Sequence, residues 1–103
     1  MRLDEQTVLI TGGGRGLGAS IAAAFAGQGA RVVIDYRNSK DAAEALADRL
    51  GENAIAVQGD VTDESAVATL FDTARAHFGA PITTVVNNAL ADFSFDGDAR
   101  PKA

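Results

Sequence analysis

Thr11-Gly12-Gly13-Gly14-Arg15-Gly16-Leu17-Gly18 follows the apolar run Val8-Leu9-Ile10 and precedes an alanine-rich amphipathic stretch. A glycine-rich turn between a strand and a helix suits a phosphate. Glycines turn the chain tightly, let the backbone approach the anion and let helix and strand pack closely, while free N–H groups and the dipole at the helix start face the negative charge. Read as G-x-G-x-x-A, the match is Gly14, Gly16 and Ala19, with the helix beginning near Arg15. A plain glycine turn satisfies that bare pattern equally well.

The other residues able to do chemistry are few. The lone histidine, His77, sits near the end of an amphipathic stretch and reads as a solvated, dipole-stabilising side chain. The carboxylates Asp41, Glu44 and Asp48, and Asp63, Glu64 and Asp72, fall on solvated helix faces, so no metal site is expected. With no cysteine, disulfides and thiolate metal sites are excluded. A net charge of −5 and a pI near 4.6 argue against nucleic acid as a partner, since phosphate neutralisation needs a basic face. No run approaches the roughly 18 apolar residues of a membrane span, and Met1-Arg2-Leu3-Asp4-Glu5 lacks a signal-peptide core. No membrane partner and a cytoplasmic location are the expectations.

The elements that would position the glycine loop alternate along the chain. Thr7 to Thr11 and Arg31 to Asp35 read as buried strands, with Leu17, Ile21, Ala24 and Phe25 as one face of the helix between them. A second helix is expected from Ser39 to Leu50, with Ala43, Leu46, Ala47 and Leu50 inward, an Asp41-x-x-Glu44 capping spacing and Gly51 as its stop. Ala54 to Gln58 is the third strand. Thr62 is the expected N-cap of a third helix whose stripe is Val67, Leu70, Phe71, Ala74 and Phe78, closed by Gly79. Ile82 to Asn87 forms the fourth strand. Helical crossovers of this length require parallel strands and run right-handed, so the fold class is α/β with a doubly wound, Rossmann-like parallel sheet. With 103 residues, 47% of them hydrophobic, the chain suffices for one compact domain. Residues 1–89 read as the nucleotide-binding portion and residues 90–103, rich in turn formers, as loop or disordered tail.

Three segments together resemble a family. Thr11-Gly12-x-x-x-Gly16-x-Gly18, Asp60-Val61 after the third strand and Asn87-Asn88-Ala89 after the fourth are similar to the cofactor-site motifs of the short-chain dehydrogenase/reductase family. The style of the loop is similar to its 3-oxoacyl-acyl-carrier-protein reductases. The resemblance implies a strand order of 3-2-1-4 and a dinucleotide cofactor. It implies that Gly12, Gly14, Arg15, Gly16, Leu17 and Gly18 surround the phosphates and the nicotinamide-side ribose, and that Asp60 accepts from the adenine amino group with Val61 beside the ring. Asn88 and Ala89 would line the adenosine ribose, and Asn87 would tie neighbouring strands together. Leu90 departs from the family, which usually completes Asn-Asn-Ala with glycine, so the turn below the nicotinamide should be reshaped.

The choice of cofactor turns on Asp35-Tyr36-Arg37-Asn38. A carboxylate at the end of the second strand accepts from a ribose 2′-hydroxyl and repels a 2′-phosphate, whereas arginine pairs with that phosphate. Asp35 lies 17 residues beyond Gly18, near the spacing of the NAD rule, but Tyr36 aligns with the family's NAD-selecting acid. Arg37 and Arg15 resemble the basic residues of NADP-using members. NADP is the expected cofactor, bound with Tyr36 and Arg37, and NAD the alternative.

Tyr36-Arg37-Asn38-Ser39-Lys40 matches the family's catalytic Tyr-x-x-x-Lys only formally, because it falls at the adenosine end of the site across a strand-to-helix loop. Tyr36 is the only tyrosine, so no catalytic residue is assigned. The expectation is the NADP-binding N-terminal portion of a ketone/alcohol oxidoreductase, truncated after the fourth strand and inactive alone, which would meet a carbonyl or alcohol substrate only in a longer form. Its fourth strand would be an apolar edge, so homo-oligomerisation or edge-strand self-association is expected. The competing readings are a stand-alone, non-catalytic nucleotide-binding or sensing module and a non-functional remnant.

Overall fold

The computed structural model describes residues 2–12, 14 and 16–88; the expectations for Arg15, Ala89, Leu90 and the 90–103 tail lie outside these residues. After a short 3-10 turn at Leu3–Glu5, the chain runs β1 (Thr7–Thr11), α1 (Gly16–Gly27), β2 (Arg31–Tyr36), α2 (Lys40–Leu50), β3 (Ala54–Gln58), α3 (Glu64–Phe78) and β4 (Thr84–Val86). The four strands are parallel in the order β3-β2-β1-β4. Thr11 registers with Asp35 and Asp35 with Val57, so the C-terminal ends of the first three strands finish level.

Alternation along the strands divides the core in two. Val8, Ile10, Val32, Ile34 and Tyr36 meet Ala22 of α1 and Ala43, Leu46 and Ala47 of α2 on one face. Leu9 and Val33 meet Leu70 and Ala74 of α3 on the other. All five residues of β1 are buried, as a central strand covered on both faces should be.

The helices depart from the expected stripes in instructive ways. In α1 the buried residues are Gly18 and Ala22, with Ala19, Ile21, Phe25 and Ala26 packed beside them, while Leu17 is 67% exposed and Ala24 is exposed. Small side chains bring the helix close to the sheet, which turns Leu17 outward. In α2 the inward residues are those expected, but Ser39 is the N-cap and makes no side-chain cap bond, so Asp41 lies within the first turn and the capping box does not form. The cap of α3 is Asp63, accepting from the Ser65 N–H, and not Thr62, whose hydroxyl is engaged by Asp60. Phe71 is 38% exposed at the edge of its stripe. β2 extends one residue further, to Tyr36, which pairs with Gln58. β4 is shorter than 82–87, although the Thr83 N–H already donates to the Thr7 carbonyl.

Candidate nucleotide site

In the order β3-β2-β1-β4 the connection from β1 leads to β2 on one side and the connection from β3 returns to β4 on the other side of β1, and the crevice beyond the strand ends at such a switch point is where doubly wound folds hold ligands. Here the crevice is bordered by Gly12 and Gly14 after β1, Arg37 after β2, Asp60 after β3 and Asn88 after β4.

The glycine loop is shaped by backbone conformations that disfavour side chains. Gly12 and Gly16 have φ of +63° and +59°, the left-handed region. A Cβ at Gly16 would meet nothing within 4 Å, so it is the positive φ at the start of α1, and not a lack of room, that favours glycine there. At Gly14 the reason for glycine is different, since a Cβ there would lie 3.3 Å from both Cβ and N of Ala43 in α2. That glycine allows the loop to lie against a second helix. Gly18 is buried in the contact between α1 and the sheet, whereas Leu17 stands exposed at the helix start. A glycine turn that leads into a helix start is the kind of place that fits a pyrophosphate.

Asn88 anchors the loop from the far side. Its Nδ2 donates to the Gly12 carbonyl at 3.0 Å, and the Thr11 hydroxyl donates to the Val86 carbonyl at 3.3 Å. The strand tie expected of Asn87 is thus made by Asn88, which is 8% exposed, while Asn87 is exposed. The cause is local. Beyond β4 the Asn88 N–H donates to the Val86 carbonyl in a tight turn that carries the Asn88 amide over to the loop.

The ends of β2 and β3 bring three charged groups together. Arg37 Nη2 lies 3.6 Å from Asp60 Oδ2, and both side chains are substantially exposed. Asp60 Oδ1 accepts from the Thr62 hydroxyl at 2.6 Å and the Thr62 N–H at 2.9 Å. Those two bonds, hydroxyl first, hold the Asp60 carboxyl below the usual carboxylate range, with Arg37 adding to the effect. Gln58 Nε2 donates to the Arg37 carbonyl, which fixes the backbone beneath the guanidinium. Asp35 lies near this pair, 2% exposed, with Oδ1 lacking a hydrogen-bond partner among the described residues. Burial first, and then the charge of Asp60, push its carboxyl up to about 7 against the pull of Arg37.

Two expected site residues are placed differently from the rest. Tyr36 is 7% exposed and belongs to the apolar cluster beneath α1 and α2, so its ring is core; Lys40 opens α2 and is exposed, and bends separate the two. They share no helical face. Val61 packs, half-buried, against the α3-side cluster next to Asp60. His77 is exposed in the last turn of α3, its ring edge-on to Phe78. Asp35, whose spacing from Gly18 is near that of the NAD rule, alternates with Tyr36 and so faces α3 and not the first helix pair.

The profile of the short chain dehydrogenase family matches residues 6–97. The chain is 43% identical over 103 residues to a versicolorin reductase of Emericella nidulans, covering 97% of this chain and 39% of that protein. It is 45% identical over 95 residues to elsinochrome reductase 1 of Elsinoe fawcettii, covering 89% of this chain and 36% of the relative. Among solved structures, 3-ketoacyl-(acyl-carrier-protein) reductase from Brucella melitensis complexed with NADH superposes with a TM-score of 0.74 at 37% identity, over 81% of this chain and 34% of that one. The chain therefore spans about two fifths of the length of the curated relatives it matches.

Proposed function

The chain belongs to the short chain dehydrogenase family, and from that premise we propose that it is the NADP-binding, N-terminal portion of a cytoplasmic oxidoreductase that interconverts a ketone and an alcohol by hydride transfer. The bound dinucleotide supplies the hydride. The residues of this chain bind and orient it. N–H groups of the Gly12–Gly18 turn hold the pyrophosphate, Asp60 and Val61 hold the adenine, and Asn88 keeps the loop in shape from behind. Arg37 pairs with the 2′-phosphate in place of Asp60. The proton donor and the carbonyl-polarising groups come from outside this chain, whose only tyrosine is core, so the chain alone binds without turning over.

The observation that carries the preference for NADP is the Arg37 guanidinium, 63% exposed at the end of β2 and held, among the described residues, by a 3.6 Å pairing with Asp60. A phosphate outcompetes a long, solvated contact of that kind. Titration calorimetry of the chain with NADPH and NADH at one moderate salt concentration tests the reading. NADPH is expected to bind about tenfold more tightly, and Arg37→Ala to bring the two to parity, the effect of losing one exposed phosphate contact. Tighter binding of NADH would overturn the preference, and a folded chain that binds neither would overturn the function.

A further inference from the structure

Asp35, Arg37 and Asp60 make an unusual group at the ends of two neighbouring strands. The outer two face each other at 3.6 Å and are exposed enough to meet a ligand. The third is a buried carboxylate with an orphaned oxygen, close enough to the turn after β3 that a Cβ on Gly59 would lie 3.4 Å from its Oδ1. Burial of that oxygen follows from the sheet, because Asp35 shares the face on which Leu70 covers Val33 and Gly59. Among the described residues its surroundings contain few charges. Its register partners are Thr11 in β1 and Val57 in β3, the covering residue of α3 is Leu70, and none of these titrates. The charged groups acting on it are Asp60 from the β3–α3 loop and Arg37 from its own strand end. With its carboxyl pushed up to about 7, Asp35 changes charge near neutral pH.

We propose that Asp35 is a protonation-controlled selector at the adenosine end of the site, admitting the 2′-phosphate of NADPH when it carries its proton and disfavouring that phosphate when it is ionised. The inference rests on the dinucleotide reading above. With Asp35 protonated, the Arg37 and Asp60 charges cancel; with Asp35 ionised, the group is net negative beneath the position where Arg37 would receive a dianion. NADH has a hydroxyl there and is little affected. The effect is reciprocal, so binding of NADPH raises the affinity of Asp35 for its proton, and NADH leaves it nearly unchanged.

Calorimetric titration of the full chain and of Asp35→Asn with both cofactors, at steps from about pH 6 to about pH 8.5, tests this. In the unsubstituted chain the NADPH-to-NADH affinity ratio is expected to fall about tenfold across that range. In Asp35→Asn it stays near its acid-side value, apart from the titration of the phosphate itself, which has a second pKa of about 6. A carboxyl-carbon NMR titration of Asp35 gives a second readout on the unsubstituted chain, with its midpoint moving up in NADPH and holding in NADH. Identical pH profiles for the two proteins, or an Asp35 midpoint unmoved by NADPH, would overturn the selector while leaving cofactor binding intact. Failure of both cofactors to bind at every pH would overturn the functional reading and the selector with it.

Discussion

A carboxylate that is 2% exposed and lacks a partner at one oxygen opposes folding whenever it is charged. Between the unfolded value of 3.8 and the folded value of about 7, the native state keeps a proton that the unfolded chain has lost. Stability therefore falls as pH rises through that window and levels off above it. Asp35→Asn removes the charge with little change of shape, and is expected to stabilise the chain by about 2 kcal/mol at about pH 8 and to flatten the fall. Urea denaturation at pH steps reads both; parallel slopes in the two proteins would refute the assignment. Asp60 behaves in the opposite sense. Its carboxyl is held low by the Thr62 hydroxyl and N–H, so what it contributes is present above the ordinary carboxylate range and lost as pH falls through its own lowered value. Thr62→Ala removes the hydroxyl bond and keeps the N–H bond, so the Asp60 carboxyl resonance should titrate at higher pH in that variant. An unmoved midpoint would assign the effect to the backbone alone. Sequence alternation separates Asp35 from Tyr36, but Gly59 and Leu70, which decide how Asp35 is buried, arrive from a later strand and helix. The asparagine pair was likewise legible as a motif, while the tight turn that gives the loop tie to Asn88 instead of Asn87 was not.

At the scale of elements, two close approaches join the site to the scaffold. Gly14 lets the glycine loop lie on Ala43 of α2, and Gly59 lets the β3 turn lie under Leu70 of α3, where a Cβ would come within 3.2 Å of Leu70 Cγ and Cδ1. Gly59→Ala is expected to cost about 1–2 kcal/mol of stability by overpacking, and Leu70→Val in the same chain to return part of it. A double-mutant cycle in urea measures that coupling, and additive losses would show that the contact is not the cause. Strand positions were legible because β-branched runs such as Val32-Val33-Ile34 satisfy burial on both faces of a parallel sheet. The inward face of α1 was less legible. A large-residue stripe at Leu17, Ile21, Ala24 and Phe25 is the natural reading of its sequence, yet Gly18 and Ala22 make the sheet contact because small residues permit a closer approach. The cap of α3 was expected at Thr62 and lies one residue later. It went to Asp63 because Asp60 had engaged the Thr62 side chain, a competition that propensity does not register.

For the molecule as a whole, the order β3-β2-β1-β4 both creates the crevice and sets where the sheet stops among the described residues. β4 pairs only with β1 there, through Val8–Thr84, Leu9–Val85 and Ile10–Val86. Val85, on the same face as Leu9, is 47% exposed, whereas Leu9 is 3% exposed. A parallel sheet interior of this composition is stable when both of its faces and its ladder bonds are covered, and an apolar strand with one open side is a template for another strand. The chain by itself is therefore expected to self-associate through β4, with sedimentation velocity showing a weight-average mass that rises with concentration. Val85→Lys places a charge on that strand and should shift the association to higher concentration by about tenfold without weakening cofactor binding, because edge charge blocks pairing and not folding. A monomer at all concentrations would refute the pairing. Equal association by the lysine variant would move the contact elsewhere, with the exposed Leu17 and Phe71 the next surfaces to test.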